Sequence, residues 1–331
     1  MLEIDWDRET GWHVPIIKPY ENFSISPAAA ALHYGIECFE GMKAYKDKKG
    51  NVRLFRPDCN MERLNKSMVR LAMPSFNADG LLGAIEQLLK IDESWVPTKD
   101  GYSLYLRPTA IGTSPTLGVK ASDQIKLYVI CSPVGPYFKD GFKPVKLYAD
   151  SENVRAWPGG VGSAKVGGNY GPCIAPAEKA AKLGCQQILW LFGEDHQITE
   201  VGAMNIFFVI KNKNGDIELT TAPLDRGDIL HGVTRRSIIE LAKEELKDIK
   251  VTERWLTMQE VIDAEKEGRL LEAFGAGTAA IISPVNGIVY KDHDIKIPTG
   301  DDAGPLAKKL WSSLLAIQSG RVNHPWSVPI K

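Results

Sequence analysis

Midway along the chain, Ser132-Pro-Val-Gly-Pro-Tyr-Phe-Lys-Asp-Gly141 packs two prolines and two glycines into ten residues. Proline brings no N–H to a ladder and glycine restrains the backbone too little, so such a run suits neither helix nor strand. On either side lie segments with both helical and strand periodicity, and 331 residues are enough for two compact cores. The expected organisation is a smaller N-terminal α+β domain over residues 1–135, a linker over 136–146 and a larger C-terminal domain over 147–331.

In the first half, Met61, Leu64, Met68 and Leu71 share a helical face between Asp58, a candidate N-cap, and Pro74, a stop. A second helix is expected from Leu81 to Asp92, with Leu81, Leu82, Ile85, Leu88 and Leu89 facing inward, and strands at Ser103–Arg107 and Ile125–Cys131. Beyond the break, strands are expected near 145–150, 187–192, 204–211, 216–221, 250–256 and 279–283. Helices are expected at 175–183, 234–247, 257–266 and 305–319, the third opened by a capping box from Thr257 to Glu260. Asn214-Gly215 marks a hairpin of type I′. Strands outnumber helices and several form hairpins, which favours a mixed α+β architecture over a doubly wound nucleotide fold.

Charge narrows the partners. Forty basic and 41 acidic residues leave a net charge of −1, so no electrostatic case exists for a nucleic acid or a membrane surface as the main partner. Small neutral or zwitterionic molecules fit better. No apolar run reaches the length of a membrane span, and the acidic start Met1-Leu-Glu-Ile-Asp-Trp6 has no signal-peptide profile. It reads as a strand entered directly, as though the chain began within a domain. The five scattered cysteines (Cys38, Cys59, Cys131, Cys173, Cys185) lack metal or redox spacing and read as reduced thiols.

Several short motifs fail their context tests. Gly275-Ala-Gly-Thr-Ala-Ala280 matches a relaxed dinucleotide fingerprint, but Ile281-Ile-Ser-Pro284 follows where a helix is required. A glycine-rich turn that receives an anion survives that objection. Gly159-Gly-Val-Gly-Ser-Ala-Lys165 lacks the terminal Gly-Lys-Ser/Thr of a phosphate loop. Arg226-Gly-Asp228 is a coincidence on a turn, and His33 and His196, each without a placed partner, read as structural.

Four other features belong together. Lys165 lies among glycines, with Gly167 and Gly168 allowing close approach of the backbone to a flat ring. Glu200 ends Gln197-Ile-Thr-Glu200 just before an apolar strand, a place for a buried carboxylate. Gly232-Val-Thr-Arg235 opens an amphipathic helix whose free N–H groups suit a phosphate, and Arg63 supplies a guanidinium fork. An amine, a buried carboxylate, a phosphate cup and an anion-receiving turn are the parts that transamination on pyridoxal phosphate requires.

The segments Ala31–Ala44, Asn60–Arg63, Ser103–Thr109, Val154–Trp157, Gly167–Tyr170, Gln197–Gly202 and Phe274–Ala279 resemble, in order and across essentially the whole chain, the eukaryotic-type branched-chain amino-acid aminotransferases. The resemblance implies a two-domain fold-type IV (D-amino-acid-aminotransferase-like) α+β fold. It implies transfer of the amino group of L-leucine, L-isoleucine or L-valine to 2-oxoglutarate, a ping-pong reaction of branched-chain amino-acid biosynthesis and metabolism. Lys165 would be the Schiff-base lysine and Glu200 the partner of the pyridine nitrogen. Tyr170 would bond the phenolic oxygen. Arg63, the backbone of Val233 and Thr234, and the Thr278 hydroxyl would hold the phosphate. The Thr278-Ala279 turn would receive the substrate α-carboxylate; Phe39, Tyr105 and Tyr170 would wall an apolar pocket. Tyr34 and Arg107 match rim positions for the side-chain carboxylate of glutamate, and Leu117 and Val119 match residues that reach a neighbouring subunit's site, implying a homodimer.

Departures from the family pattern are local. Family members usually begin some tens of residues earlier, with a segment that adds an aromatic to the pocket. No transit peptide is visible, so of the cytoplasm and the mitochondrion the cytoplasm is favoured. Ala280 and Ser283 stand where mammalian forms carry a C-x-x-C switch, and Ala203 replaces a usual threonine. The loop Pro223–Gly232 has one residue more than usual, with His231 in place of a proline; both loop and Ala203 point to altered cofactor affinity rather than lost chemistry. The competing readings are a D-amino-acid aminotransferase or aminodeoxychorismate lyase, which share the lysine but lack the Tyr34, Phe39, Tyr105 and Arg107 set. A catalytically dead metabolite-binding scaffold and a nicotinamide oxidoreductase are the others.

Overall fold

A computed structural model of the protein describes residues 1–136 and 142–330. They form two units. The first comprises the residues up to Pro136, the short stretch Ala164–Gly168 and the C-terminal stretch from Ala316; the second comprises the intervening residues up to Ser163 and Asn169–Leu315. The expected linker, 136–146, falls partly on 137–141, which lie outside the described residues.

The first unit holds β1 (Leu2–Asp7), β2 (Gly11–Trp12), β3 (Ile16–Ile17), β4 (Glu37–Phe39), β5 (Met42–Lys46), β6 (Val52–Phe55), β7 (Ser103–Gly112) and β8 (Gln124–Val134). The C-terminal strand Ser327–Pro329 joins them in one sheet, ordered C-terminal strand–β6–β5–β7–β8–β1–β2, with β3 on β1 and β4 on β7. β8 runs on through Ser132–Val134, past the end expected at Cys131. Pro133 is tolerated because β1 pairs with β8 only as far as Val129, so the missing N–H leaves no ladder bond unmade on that side.

Alternation along these strands sorts their two faces. Cys38, Leu104, Leu106, Ala110, Leu127 and Val129 are fully buried on one side. Glu37, Phe39, Tyr105, Arg107 and Tyr128 occupy the alternate positions, only partly buried. After α1 (Ala30–Tyr34), the helices α2 (Pro57–Arg70) and α3 (Ala78–Ile91) pack on each other, α2 also against β4 and α3 against β1. Their buried stripes, Met61, Leu64 and Met68 on α2 and Leu81, Ile85, Leu88 and Leu89 on α3, follow the expected periodicity. Truncating one such leucine to alanine costs about 2–5 kcal/mol. The N-cap of α2 is Arg56 rather than Asp58: Pro57, with its preset φ and no N–H, takes the first helical position, and Asp58 supplies negative charge to the first turn.

The second unit contains β9 (Val145–Asp150), β10 (Gln187–Phe192), β11 (Gln197–Val201), β12 (Met204–Lys211), β13 (Ile217–Thr221), β14 (Ile249–Glu253), β15 (Leu270–Gly277), β16 (Ile281–Tyr290) and β17 (His293–Lys296). The order β11–β10–β9–β16–β15–β12 closes on itself through a β11–β12 pairing, a six-stranded barrel; β13 and β14 extend from β12, and β17 pairs with β16. Inside lie Leu147, Leu189, Leu191, Ile206, Phe208, Ala273, Val285 and Ile288. The helices are α4 (Ile174–Lys182), α5 (Val233–Glu245), α6 (Met258–Lys266) and the part of α7 (Pro305–Gln318) up to Leu315. The capping box of α6 forms as expected, Thr257 and Glu260 bonding reciprocally.

Two details of this unit depart from the sequence reading. The β12–β13 hairpin exists, but its turn is not type I′, since Gly215 has positive φ and Asn214 does not. Asn212 organises it instead, its Oδ1 accepting the N–H groups of Asn214 and Asp216 at 2.9 Å. The glycine-rich turn expected at Gly275–Ala280 starts later: Gly275–Gly277 end strand β15, and the turn is at 278–280. Gly275 and Gly277 are strand glycines. A Cβ on either would stand within about 3 Å of the Met204 side chain.

Candidate active site

Lys165 is set in place by the first unit. Its amide donates to Ser67 Oγ of α2 at 2.8 Å, and its carbonyl accepts the Phe39 N–H at 3.0 Å. Val166 bridges to Cys38. The backbone is thus pinned on both sides, and the amine stands over the Phe39 ring, 4.7 Å from its centroid. Arg107 shares that ring, its guanidinium carbon 4.6 Å from the same centroid, and its Nη2 donates to the Tyr105 hydroxyl at 3.2 Å. Lys165, Phe39, Tyr105 and Arg107 are therefore brought together as expected. They lie on the sheet face opposite the apolar core because β4 and β7 alternate in step.

Gly167 also lies against an acid. A Cβ there would collide with the carboxylate of Glu37, so the missing side chain makes room for an acid. Burial pushes the Glu37 carboxyl above its ordinary range, against the pull of the Gly167 N–H, Arg107 and Lys165. Nearby, burial draws the Lys43 ammonium down to about 8.

Arg63, expected at a phosphate, is buried in α2 with its guanidinium forked on Glu40: Nε at 2.6 Å from Oε1, Nη2 at 2.8 Å from Oε2. Asn60 adds a bond to the same carboxylate at 2.8 Å. The fork fixes the plane of the guanidinium. The Tyr34 hydroxyl donates to the Leu117 carbonyl, on the loop where Leu117 and Val119 are 65 and 82% exposed.

In the second unit Glu200 is 2% exposed and paired with Arg155 at 2.6 Å. Asn205 of β12 donates to Glu200 Oε1 at 2.9 Å and to the Leu230 carbonyl at 3.0 Å. That one amide ties the buried acid to the loop leading into α5. Gly232 is required beside it, since any Cβ would meet Asn205 Oδ1. Val233 and Thr234 begin the thirteen-residue helix α5, where the first N–H groups lack carbonyl partners within the helix and favour an anion. Thr278 and Ala279 form the turn between β15 and β16, closed by Ile281 at φ 64°, a left-handed conformation that strains a β-branched residue. Tyr170 is half-buried, its carbonyl accepting the Cys173 N–H at 3.1 Å.

Arg155, Asn205, Glu40, Ser67 and Glu37 had no assigned role in the sequence reading. Arg155 stands in one of the resembling segments, but no periodicity marks an arginine in a loop as the partner of a carboxylate 45 positions on. The two histidines weighed as bases have structural partners, His33 with the Pro27 carbonyl and His196 with the Tyr290 hydroxyl.

The donor sets suit pyridoxal phosphate. There is an amine on a fixed backbone, a buried carboxylate held by a cation and an amide, a helix N-terminus opened by glycine, and a strained turn with exposed backbone.

Residues 37–288 match the family model described as amino-transferase class IV. The chain is 52% identical to the mitochondrial branched-chain-amino-acid aminotransferase of Schizosaccharomyces pombe, over 99% of this chain and 78% of that protein. It is 51% identical to the cytosolic enzyme of Saccharomyces cerevisiae, over 99 and 88%. Among solved structures it is similar to a branched-chain amino acid aminotransferase from T.th., complexed with N-(5'-phosphopyridoxyl)-L-glutamate. The TM-score is 0.74 and the identity 26%, covering 99% of this chain and 98% of that one.

Proposed function

Because this chain belongs to the class IV aminotransferases, with the fold-type IV architecture, we infer that it is a pyridoxal-phosphate-dependent branched-chain-amino-acid transaminase. It moves the amino group of L-leucine, L-isoleucine or L-valine to 2-oxoglutarate. The observation that carries the reading beyond the family is the placement of the Lys165 amine and the Arg107 guanidinium over one phenylalanine ring. It sets a nucleophilic amine and an anion receptor around a single apolar wall, which is what a pocket alternating between leucine and glutamate needs.

Lys165 would hold the cofactor covalently, and Glu200 its ring nitrogen. Tyr170 would bond the phenolic oxygen, and Arg63, the amides of Val233 and Thr234 and the Thr278 hydroxyl would hold the phosphate. When bound, the cofactor supplies a carbonyl that captures the substrate amine and a ring that accepts an electron pair. The chain's own residues do the rest. Lys165 moves the α-proton from a position fixed by Ser67 and Phe39. The Glu200 carboxylate, kept in place by Arg155 and Asn205, stabilises positive charge at the ring nitrogen. The Thr278-Ala279 backbone orients the α-carboxylate. Phe39, Tyr105 and Tyr170 bury an apolar side chain, whereas Arg107 and Tyr34 meet an acidic one.

Leu117 and Val119, exposed on their loop, would reach into the neighbouring subunit of a homodimer. A domain division at 1–135, 136–146 and 147–331 is proposed with it. The direct test mixes purified protein, the cofactor, L-leucine and 2-oxoglutarate and follows glutamate and the branched 2-oxo acid. Formation of both supports the reading, and failure with all three branched-chain amino acids overturns it. Sedimentation at enzyme concentration tests the dimer.

A further inference from the structure

The face of the first unit that carries Arg107 carries a second carboxylate for which transamination has no stated use. Glu37 lies on β4 two residues before Phe39, hence on the same side of the sheet, and packs against Gly167 so closely that a Cβ there would collide with it. Its carboxylate accepts the Gly167 N–H and feels the charges of Arg107 and Lys165. Arg107 in turn gives Nη2 to Tyr105, while its Nε, shielded from solvent, has no hydrogen-bond partner among the described residues. The guanidinium is thus ready for an incoming acid, with an acid already beside it.

We propose that Glu37 is a specificity-determining residue: a carboxylate delivered to Arg107 compels Glu37 to take a proton from solvent, whereas an apolar side chain does not. The proposal rests on the assignment of Arg107 as the receptor for the acidic substrate. Two carboxylates served by one guanidinium in a half-buried site repel each other, and the pair lowers its energy by neutralising one of them. Glu37 is the member predisposed to accept, since burial already raises it. The groups that face it are Arg107 from β7, Tyr128 from β8 and Lys165 beyond Gly167; Cys38, next to it in sequence, points to the opposite, core face. The two cations favour its charge and burial opposes it, so a new anion at Arg107 tips the balance toward the proton.

The test is calorimetric titration of the holoenzyme with glutarate and with 4-methylpentanoate, in buffers of different ionisation enthalpy at fixed pH. Glutarate binding to the wild type should take up protons and weaken by up to roughly tenfold per pH unit once Glu37 is charged. Binding of 4-methylpentanoate should do neither. In Glu37→Gln, glutarate should bind without proton uptake and with a flat pH profile. Absence of uptake in the wild type, a measurement that needs no variant, overturns the proposal, as does unchanged uptake in Glu37→Gln. Arg107→Ala separates the two assignments. If it binds glutarate as tightly as the wild type, the role of Arg107 fails; if it binds glutarate weakly while the wild type takes up no proton, only Glu37 fails.

Discussion

Arg155 and Glu200, 45 residues apart in sequence, meet at 2.6 Å with side chains only 3 and 2% exposed. An ion pair so far from water is a weak source of net stability, because desolvation of both charges offsets most of their attraction. Its value lies in position. Arg155 and the Asn205 amide together hold the carboxylate in one orientation on the β11–β12 pair, so that, in the role proposed for it, its charge would be available to a ring nitrogen without reorganisation.

Arg155→Met removes from buried Glu200 the guanidinium that meets it at 2.6 Å. The unfolding free energy should fall by about 3–5 kcal/mol. Denaturant titration followed by circular dichroism measures it, and a loss below about 1 kcal/mol would show that Glu200 had never depended on the pair.

Lys165→Ala should lower transamination by roughly 10²–10⁴-fold or more, since both the anchoring amine and the proton carrier go. The protein should remain folded and lose the absorbance of its lysine-bound cofactor. A variant that kept both band and turnover would place the chemistry on another lysine.

Arg107→Ala should separate the two substrates. A charge-assisted hydrogen bond contributes about 1.5–3 kcal/mol, so kcat/KM for L-glutamate should drop roughly 10- to 150-fold, with L-leucine changed by no more than about threefold. Steady-state half-reactions with each amino acid give the two ratios; equal losses would remove Arg107 from its assigned role.

Lys43 supplies a pH signature. Its ammonium falls from 10.5 to about 8 on folding because burial disfavours the charge. Between those values the unfolded chain binds the extra proton, so stability should rise as pH increases from about 8 toward 10.5. Below about 8 both states are protonated, and the cost of the buried charge is fully present. Lys43→Met should flatten that rise and raise stability at neutral pH, as thermal unfolding across the alkaline range will report; a parallel rise in the variant would assign it to another group.

Much of the local structure was legible because it follows from short-range chemistry. The stripes of α2 and α3, the Thr257–Glu260 capping box and the strands near 145–150, 187–192 and 204–211 all come from spacings of two to four residues. So does the chemical cast of the site: amine, carboxylate, guanidinium and glycine-opened helix are residue types read directly from the chain, and the order of seven segments carried the family. Where local rules competed, the sequence was ambiguous. Pro133 looked like an end of structure, yet its unpaired side lies beyond Leu2, the first residue of β1. Gly275 and Gly277 looked like a turn, yet they are strand positions crowded by Met204.

The pairings that give those residues their chemistry depend on tertiary structure alone. Ala164–Gly168 returns to the first unit through bonds to Ser67 and Phe39, roughly a hundred or more residues away, and no pattern around Lys165 announces them. The same is true of Arg155 with Glu200, of Arg63 with Glu40, and of Glu37 under Gly167. Sequence determines which groups exist and which elements bear them. Folding decides which of them share a low-dielectric neighbourhood, and there the strength of a charge depends on its neighbours more than on its own identity.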